Sequence, residues 1–144
     1  MIEQDTIRLL RECDAGVAMG VASIDDVLPY VKSDQLKTRL ADCRDAHVQL
    51  QHEIGEALHR FHDTGKQPGM MLRGMSLLKT KAEITVKPSD ATIASLMTDG
   101  CGMGVKSLNK YLNEYEAADE AAKDVTKKLI HLEEQLISQV RDFL

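Results

Sequence analysis

Apolar residues recur along this chain at helical spacing, in four long stretches separated by short polar or proline-containing breaks. In the first stretch Ile7, Asp14, Val21 and Leu28 interleave with Leu10, Val17, Ile24 and Val31, a seven-residue pattern in which Asp14 alone is polar. That pattern predicts a helix with one buried seam. Pro29 falls in its last turn, and "KSDQ" follows, where Ser33 or Asp34 can cap a second helix through a side-chain oxygen. In the second helix Leu36, Cys43, Leu50 and Ala57 alternate with Leu40, His47, Ile54 and Phe61, which makes His47 its one polar core position. It is expected to stop at "DTG", where Gly65 suits a left-handed C-cap. The break between the two helices is short, so they should fold back as an antiparallel hairpin.

The stretch "GKQPGMMLRGMSLLKTKAEITVKPSD" is too long for a hairpin turn and too apolar for a free linker. Pro68 suits a first helical turn, and Met71, Leu72, Met75, Leu78 and Ala82 share one face, which predicts a crossover helix of about four turns. Ser89 or Asp90 then caps a third helix, in which Ala91, Thr98, Val105 and Leu112 interleave with Ala94, Cys101, Leu108 and Tyr115. After "EAADEAA" a fourth helix places Val125 and Leu132 with Leu129, Leu136 and Phe143, with no polar exception expected at mid-height. The pattern predicts one all-α domain over 1–144, with a first hairpin at 3–64, a crossover helix at 68–84 and a second hairpin at 90–143.

The first and third helices carry nearly the same phrase, "MGVASIDDVL" from Met19 and "MGVKSLNKYL" from Met103, and the match extends back through Gly16 and Gly100. Glycine inside a helix costs roughly 1 kcal/mol relative to alanine, so Gly16, Gly20, Gly100 and Gly104 need a reason to be there. Each helix also has a second apolar flank, Leu9, Cys13, Gly16, Gly20, Val27 and Tyr30 in one and Ile93, Met97, Gly100, Gly104 and Tyr111 in the other. Small residues at i and i+4 let backbones approach closely, which predicts that helix one touches helix three through these glycines. Alanine at Gly20 or Gly104 is then expected to lower the melting temperature. The competing placement puts one flank on the surface, as the seam of a homodimer or of an unidentified protein partner.

Two antiparallel hairpins and a long crossover are the plan of the ferritin-like four-helix bundle. Through "LLRECDAGVAMGVASIDDVLPYVKSDQLKTRLADCRDAHVQL", "PGMMLRGMSLLKTK" and "DGCGMGVKSLNKYLNEYEAAD", the chain resembles a bacterial branch of that superfamily over its full length. The resemblance implies a fold in which metal-bearing members draw a Glu from the first helix of each hairpin and Glu-x-x-His from the second. Here that set is incomplete. Arg44 stands three residues before His47, Leu136 stands three after Glu133, Asp14 is one methylene shorter than Glu, and the third helix offers Thr98 followed by Asp99. No di-metal cofactor is expected.

A mononuclear site is the alternative, with Asp14, Cys43, His47, Cys101 and Glu133 as candidate ligands. Register weakens it, because Asp14 lies five residues further from the Ser33 turn than His47 does, about 7 Å of axial rise. The plainer expectation is a core histidine hydrogen-bonded to Asp14, Thr98 or a trapped water. His52, Glu56 and His59 share another face of the second helix, opposite the seam, and read as solvated surface. The phrase "GCGMG" lies inside a helical pattern and follows no strand, so it is no phosphate cradle.

Charge and composition narrow the function classes. With 18 Lys+Arg against 23 Asp+Glu the chain has a formal charge of −5, and a protein without a basic field is not expected to bind nucleic acid or an anionic membrane surface. The acidic start and the absence of a long apolar run predict a cytoplasmic protein. Three cysteines without close spacing read as reduced, buried thiols, and Cys43 in a core seam offers no accessible nucleophile. The sequence reading is a non-enzymatic structural or protein-interaction module without cofactor, then a mononuclear metal-binding protein, then a di-metal oxidase or iron store.

Overall fold

The computed structural model describes residues 2–61 and 89–144. The crossover helix expected at 68–84 and the C-cap expected at Gly65 lie outside the described residues. Helix α1 spans Ile2–Val27 and runs into a 3-10 turn at Leu28–Tyr30, where Pro29 presets the backbone and ends the helix. Helix α2 spans Asp34–Arg60, and its N-cap is Ser33, whose hydroxyl accepts from the Leu36 N–H at 3.3 Å. Helix α3 spans Asp90–Glu114 behind Ser89, which accepts from the Thr92 N–H at 3.1 Å. Helix α4 spans Glu120–Val140 behind Asp119, which accepts from the Ala122 N–H at 2.8 Å. Arg39 of α2 closes the other end of α4 by donating to the Gln139 carbonyl while its guanidinium lies 5.5 Å from the Phe143 ring centre.

The four helices bury two apolar clusters. One holds Leu9, Leu10, Cys13 and Val17 of α1 with Leu50, Ile54 and Leu58 of α2, Leu108 of α3 and Ala122 and Leu129 of α4. The other holds Ile24 and Val27 of α1 with Leu36, Leu40 and Cys43 of α2, Ile93, Met97 and Cys101 of α3 and Leu136 and Val140 of α4. Complete burial of a Leu or Ile, as at Leu9, Ile24 or Ile93, contributes about 2 kcal/mol each. The clusters also give the directions of the helices, since α1 and α4 start where α2 and α3 finish. Among the described residues the architecture is an all-α four-helix bundle of two antiparallel hairpins, α1 with α2 and α3 with α4, in which α2 and α3 run parallel. Among the described residues no helix is long and apolar enough to cross a membrane.

Each hairpin turn is held by the start of the other hairpin. Asp90 accepts from the Lys32 and Ser33 N–H groups, both at 2.9 Å, so the alternative cap of α3 serves the α1–α2 turn instead. Reciprocally, Asp5 accepts from the Ala117 N–H at 3.2 Å and Thr6 from the Asp119 N–H at 2.8 Å. These bonds satisfy turn donors that would otherwise be unpaired, and they set the axial register of one hairpin on the other.

The seam expected in α1 is rotated. Leu9, Cys13 and Val27, taken in the sequence as a second flank, are deeply buried, whereas Ile7, Asp14, Val21 and Leu28 are only half-buried. The flank is the core face because α1 meets α2, α4 and α3, and a helix in contact with several neighbours needs an apolar arc wider than one seam. A similar correction applies in α4, where Thr126, Leu129, Ile130, Glu133, Leu136 and Val140 are buried and Val125 and Leu132 are half-buried. Its mid-height position is therefore polar after all, and the residue there is Glu133.

Candidate functional site

Between the two apolar clusters lies one polar layer, built from all four helices. α2 supplies Cys43 and His47, α4 supplies Glu133, α3 supplies Cys101 and Gly104, and α1 supplies Gly20. His47 Nε2 lies 3.1 Å from Glu133 Oε1, and His47 Nδ1 lies 2.8 Å from the carbonyl oxygen of Cys43 and 3.5 Å from its Sγ. A carbonyl only accepts, so Nδ1 carries a hydrogen, and the proton of the pair lies between Nε2 and the carboxylate. The Cys101 thiol, also buried, lies close enough to Glu133 to feel its charge. His47 is 1 % exposed and Glu133 8 %, so both are core groups whose desolvation is offset by these bonds.

The glycines are the walls of this layer. A Cβ on Gly20 would stand 2.9 Å from His47 Cδ2 and 3.0 Å from Nε2, so α1 needs a bare backbone where the imidazole crosses it. A Cβ on Gly104 would meet Glu133 Oε2 at 3.5 Å, an ordinary contact. Of the recurrent "MGV" glycines, Gly20 thus makes room for a side chain rather than for the backbone of a facing helix, and Gly104 borders a side chain that leaves space for a methyl group. Gly16 lies over Leu129 Cδ2 at 3.6 Å from an added Cβ, and Gly100 has nothing within 4 Å. The packing role expected of Gly100 has no contact to rest on among the described residues.

Electrostatics follow from this geometry. Burial alone pulls the His47 pKa down, but hydrogen bonds to Cys43 and Glu133 outweigh it and raise the value to about 10. The folded state therefore holds this proton more tightly than the unfolded chain, whose histidines titrate near 6.5. The resulting stabilisation is fully present below pH 6.5 and declines as pH rises through about 10. We expect the melting temperature to fall from pH 7 to pH 10 in the parent protein and to fall less in Glu133→Gln, measured by circular dichroism in matched buffers. Equal slopes would show that the pair does not hold the proton. Burial, and then the charge of Glu133, push the Cys101 thiol up, and burial pushes Cys13 up to about 11. Cys13 has its own partner: Thr126 donates its one hydrogen to the Ala122 carbonyl, so the Cys13 thiol donates to Thr126 Oγ1 at 3.2 Å. All three thiols are buried and unpaired with one another, so none is placed as an exposed nucleophile.

Of the five metal candidates, Cys43, His47, Cys101 and Glu133 come together and Asp14 does not. The hydrogen bonds of His47 go to Cys43 and Glu133, not to Asp14 or Thr98, and Thr98 donates to the Ala94 carbonyl at 2.8 Å. Among the described residues no group of three or more His, Cys, Asp or Glu side chains is arranged to hold a metal ion. Arg44, at the broken ligand position before His47, points instead to α1 and forms an ion pair with Asp25. Leu136, at the other broken position, is buried in the second apolar cluster. His52, Glu56 and His59 are exposed and border a shallow depression over Gly55 on the outer face of α2.

Sequence reasoning missed Glu133 as the partner of His47. A signal was present: each stands fourteen residues beyond the N-cap of its own helix, Ser33 for His47 and Asp119 for Glu133. Comparison of the chain with family models, with curated proteins and with solved structures gives no match.

Proposed function

We propose that the chain is a ferritin-like bundle that has no enzymatic role and serves as a structural or protein-interaction module, with a proton-sharing His47–Glu133 pair in the place where metal-bearing bundles hold their ions. The observation that carries this reading is the 3.1 Å contact between Nε2 and Oε1. The imidazole nitrogen and the carboxylate oxygen that would ligate a metal are engaged with one another, and Nδ1 is engaged with the Cys43 carbonyl. The parallel run of α2 and α3 supports the ferritin-like assignment, because two hairpins joined by one long crossover have that order.

One observation favours a second reading, a mononuclear metal bound in the core. An imidazole whose Nδ1–H is held by a backbone carbonyl is oriented as metal-ligating histidines are, and Glu133 stands at the other nitrogen. Elemental analysis of protein purified without added metal or chelator separates the two. We expect less than one equivalent of iron, manganese or zinc and no oxidation of added ferrous iron. A stoichiometric metal that resists mild chelation and is lost in His47→Gln would replace the first reading with the second.

A further inference from the structure

The two hairpins present matching core positions, and the matches are close enough to raise the question of what keeps each hairpin from pairing with a second copy of itself. Counted from their N-caps, α2 and α4 bury Leu36 with Ala122, Leu40 with Thr126, Cys43 with Leu129, Leu50 with Leu136 and Ile54 with Val140 at equivalent places. Across α1 and α3 the equivalents are Leu9 with Ile93, Leu10 with Ala94, Cys13 with Met97, Val17 with Cys101 and Ile24 with Leu108, all buried. The contacts at the bundle ends are interchangeable too, since Asp5 and Thr6 do for one turn what Asp90 does for the other. Of these positions only Cys13 and Thr126 make a polar contact between the hairpins, a thiol–hydroxyl bond at 3.2 Å, and the others offer apolar packing to either partner.

One layer distinguishes a hairpin's proper partner from its own copy by charge. His47 and Glu133 occupy equivalent positions and carry opposite chemistry. We infer that the His47–Glu133 layer is a pairing key, which directs the first hairpin to the second and excludes assemblies in which either hairpin pairs with its own copy in another chain. Pairing of two first hairpins would set two His47 imidazoles against each other, and pairing of two second hairpins would set two Glu133 carboxylates together in an apolar core. Both leave buried polar groups mismatched, whereas the mixed pair satisfies each group. Gly20 closes the layer on the α1 side, where an added Cβ would meet the His47 ring at 2.9 Å.

The test uses the full chain, unfolded in denaturant and refolded at high protein concentration, with the number of chains per particle read by native mass spectrometry. Two double variants remove the key: His47→Leu with Glu133→Leu makes the layer apolar, and His47→Gln with Glu133→Gln makes it polar but self-complementary. A third, His47→Glu with Glu133→His, keeps the key and reverses it. We expect the reversed variant to refold to the same distribution as the parent, and the keyless variants to yield particles with more chains at least about five-fold more often. Should the apolar variant fail to fold, the Gln variant decides. The inference is overturned if the keyless variants match the parent, or if the parent itself refolds to a mixture of chain numbers.

Discussion

Glu133→Leu should lower the free energy of unfolding by about 3–5 kcal/mol, and adding His47→Leu should recover most of that loss. Removing the carboxylate leaves His47, 1 % exposed, with its Nε2 facing an aliphatic side chain in place of its partner. The penalty is the desolvation of a stranded polar group, not the strength of the bond that was cut. In the double variant neither group is stranded, and the two introduced leucine side chains would join the apolar clusters into one continuous core. Urea titrations of the parent, both single variants and the double variant form the cycle that measures this coupling. Additive losses, with the double variant the least stable, would show that the pair is held apart by water or is not formed.

Alanine should have opposite signs at the two recurrent glycines. At Gly20 the added methyl stands 2.9 Å from a ring that cannot swing aside, because Cys43 holds one nitrogen and Glu133 the other. The cost is about 1–3 kcal/mol, larger than the helix propensity gained, and Gly20→Leu should prevent the layer from forming. At Gly104 the methyl makes ordinary contacts with Glu133 at 3.5 Å and beyond, so propensity prevails and stability should rise by up to about 1 kcal/mol. Thermal melts of Gly20→Ala and Gly104→Ala read both signs directly. If Gly20→Ala melts higher than the parent, the imidazole does not lie against α1. The sequence alone predicts a loss at both positions, since it shows two glycines in the same phrase and not what stands over each.

The same distinction runs through the whole chain. Helix positions, caps and the hairpin plan were legible because they depend on neighbours a few residues away. Ser33 and Ser89 each bond a backbone N–H within their own first turn, and the seam of α2 needs only the spacing of Leu36, Leu40, Cys43, His47, Leu50 and Ile54; the Asp119 cap of α4 was not read from the sequence. His47 was visible for that reason as the polar exception in an apolar row.

What the local pattern left open is the width and rotation of the buried arcs, and hence the partner of that exception. α1 packs against more than one helix, so its core face includes Leu9, Cys13 and Val27 as well as Leu10 and Val17, and a seam drawn through Asp14 is turned away from the centre. In α4 the arc runs through Thr126, Ile130 and Glu133 rather than Val125 and Leu132. Rotating a helix by one residue, about 100°, decides which carboxylate of the chain meets His47. Periodicity places an apolar stripe on a helix, but the angle at which that stripe meets its neighbours comes from packing against helices distant in the chain. The His47–Glu133 layer, separated by 86 residues in sequence and 3.1 Å in space, exists only at that level.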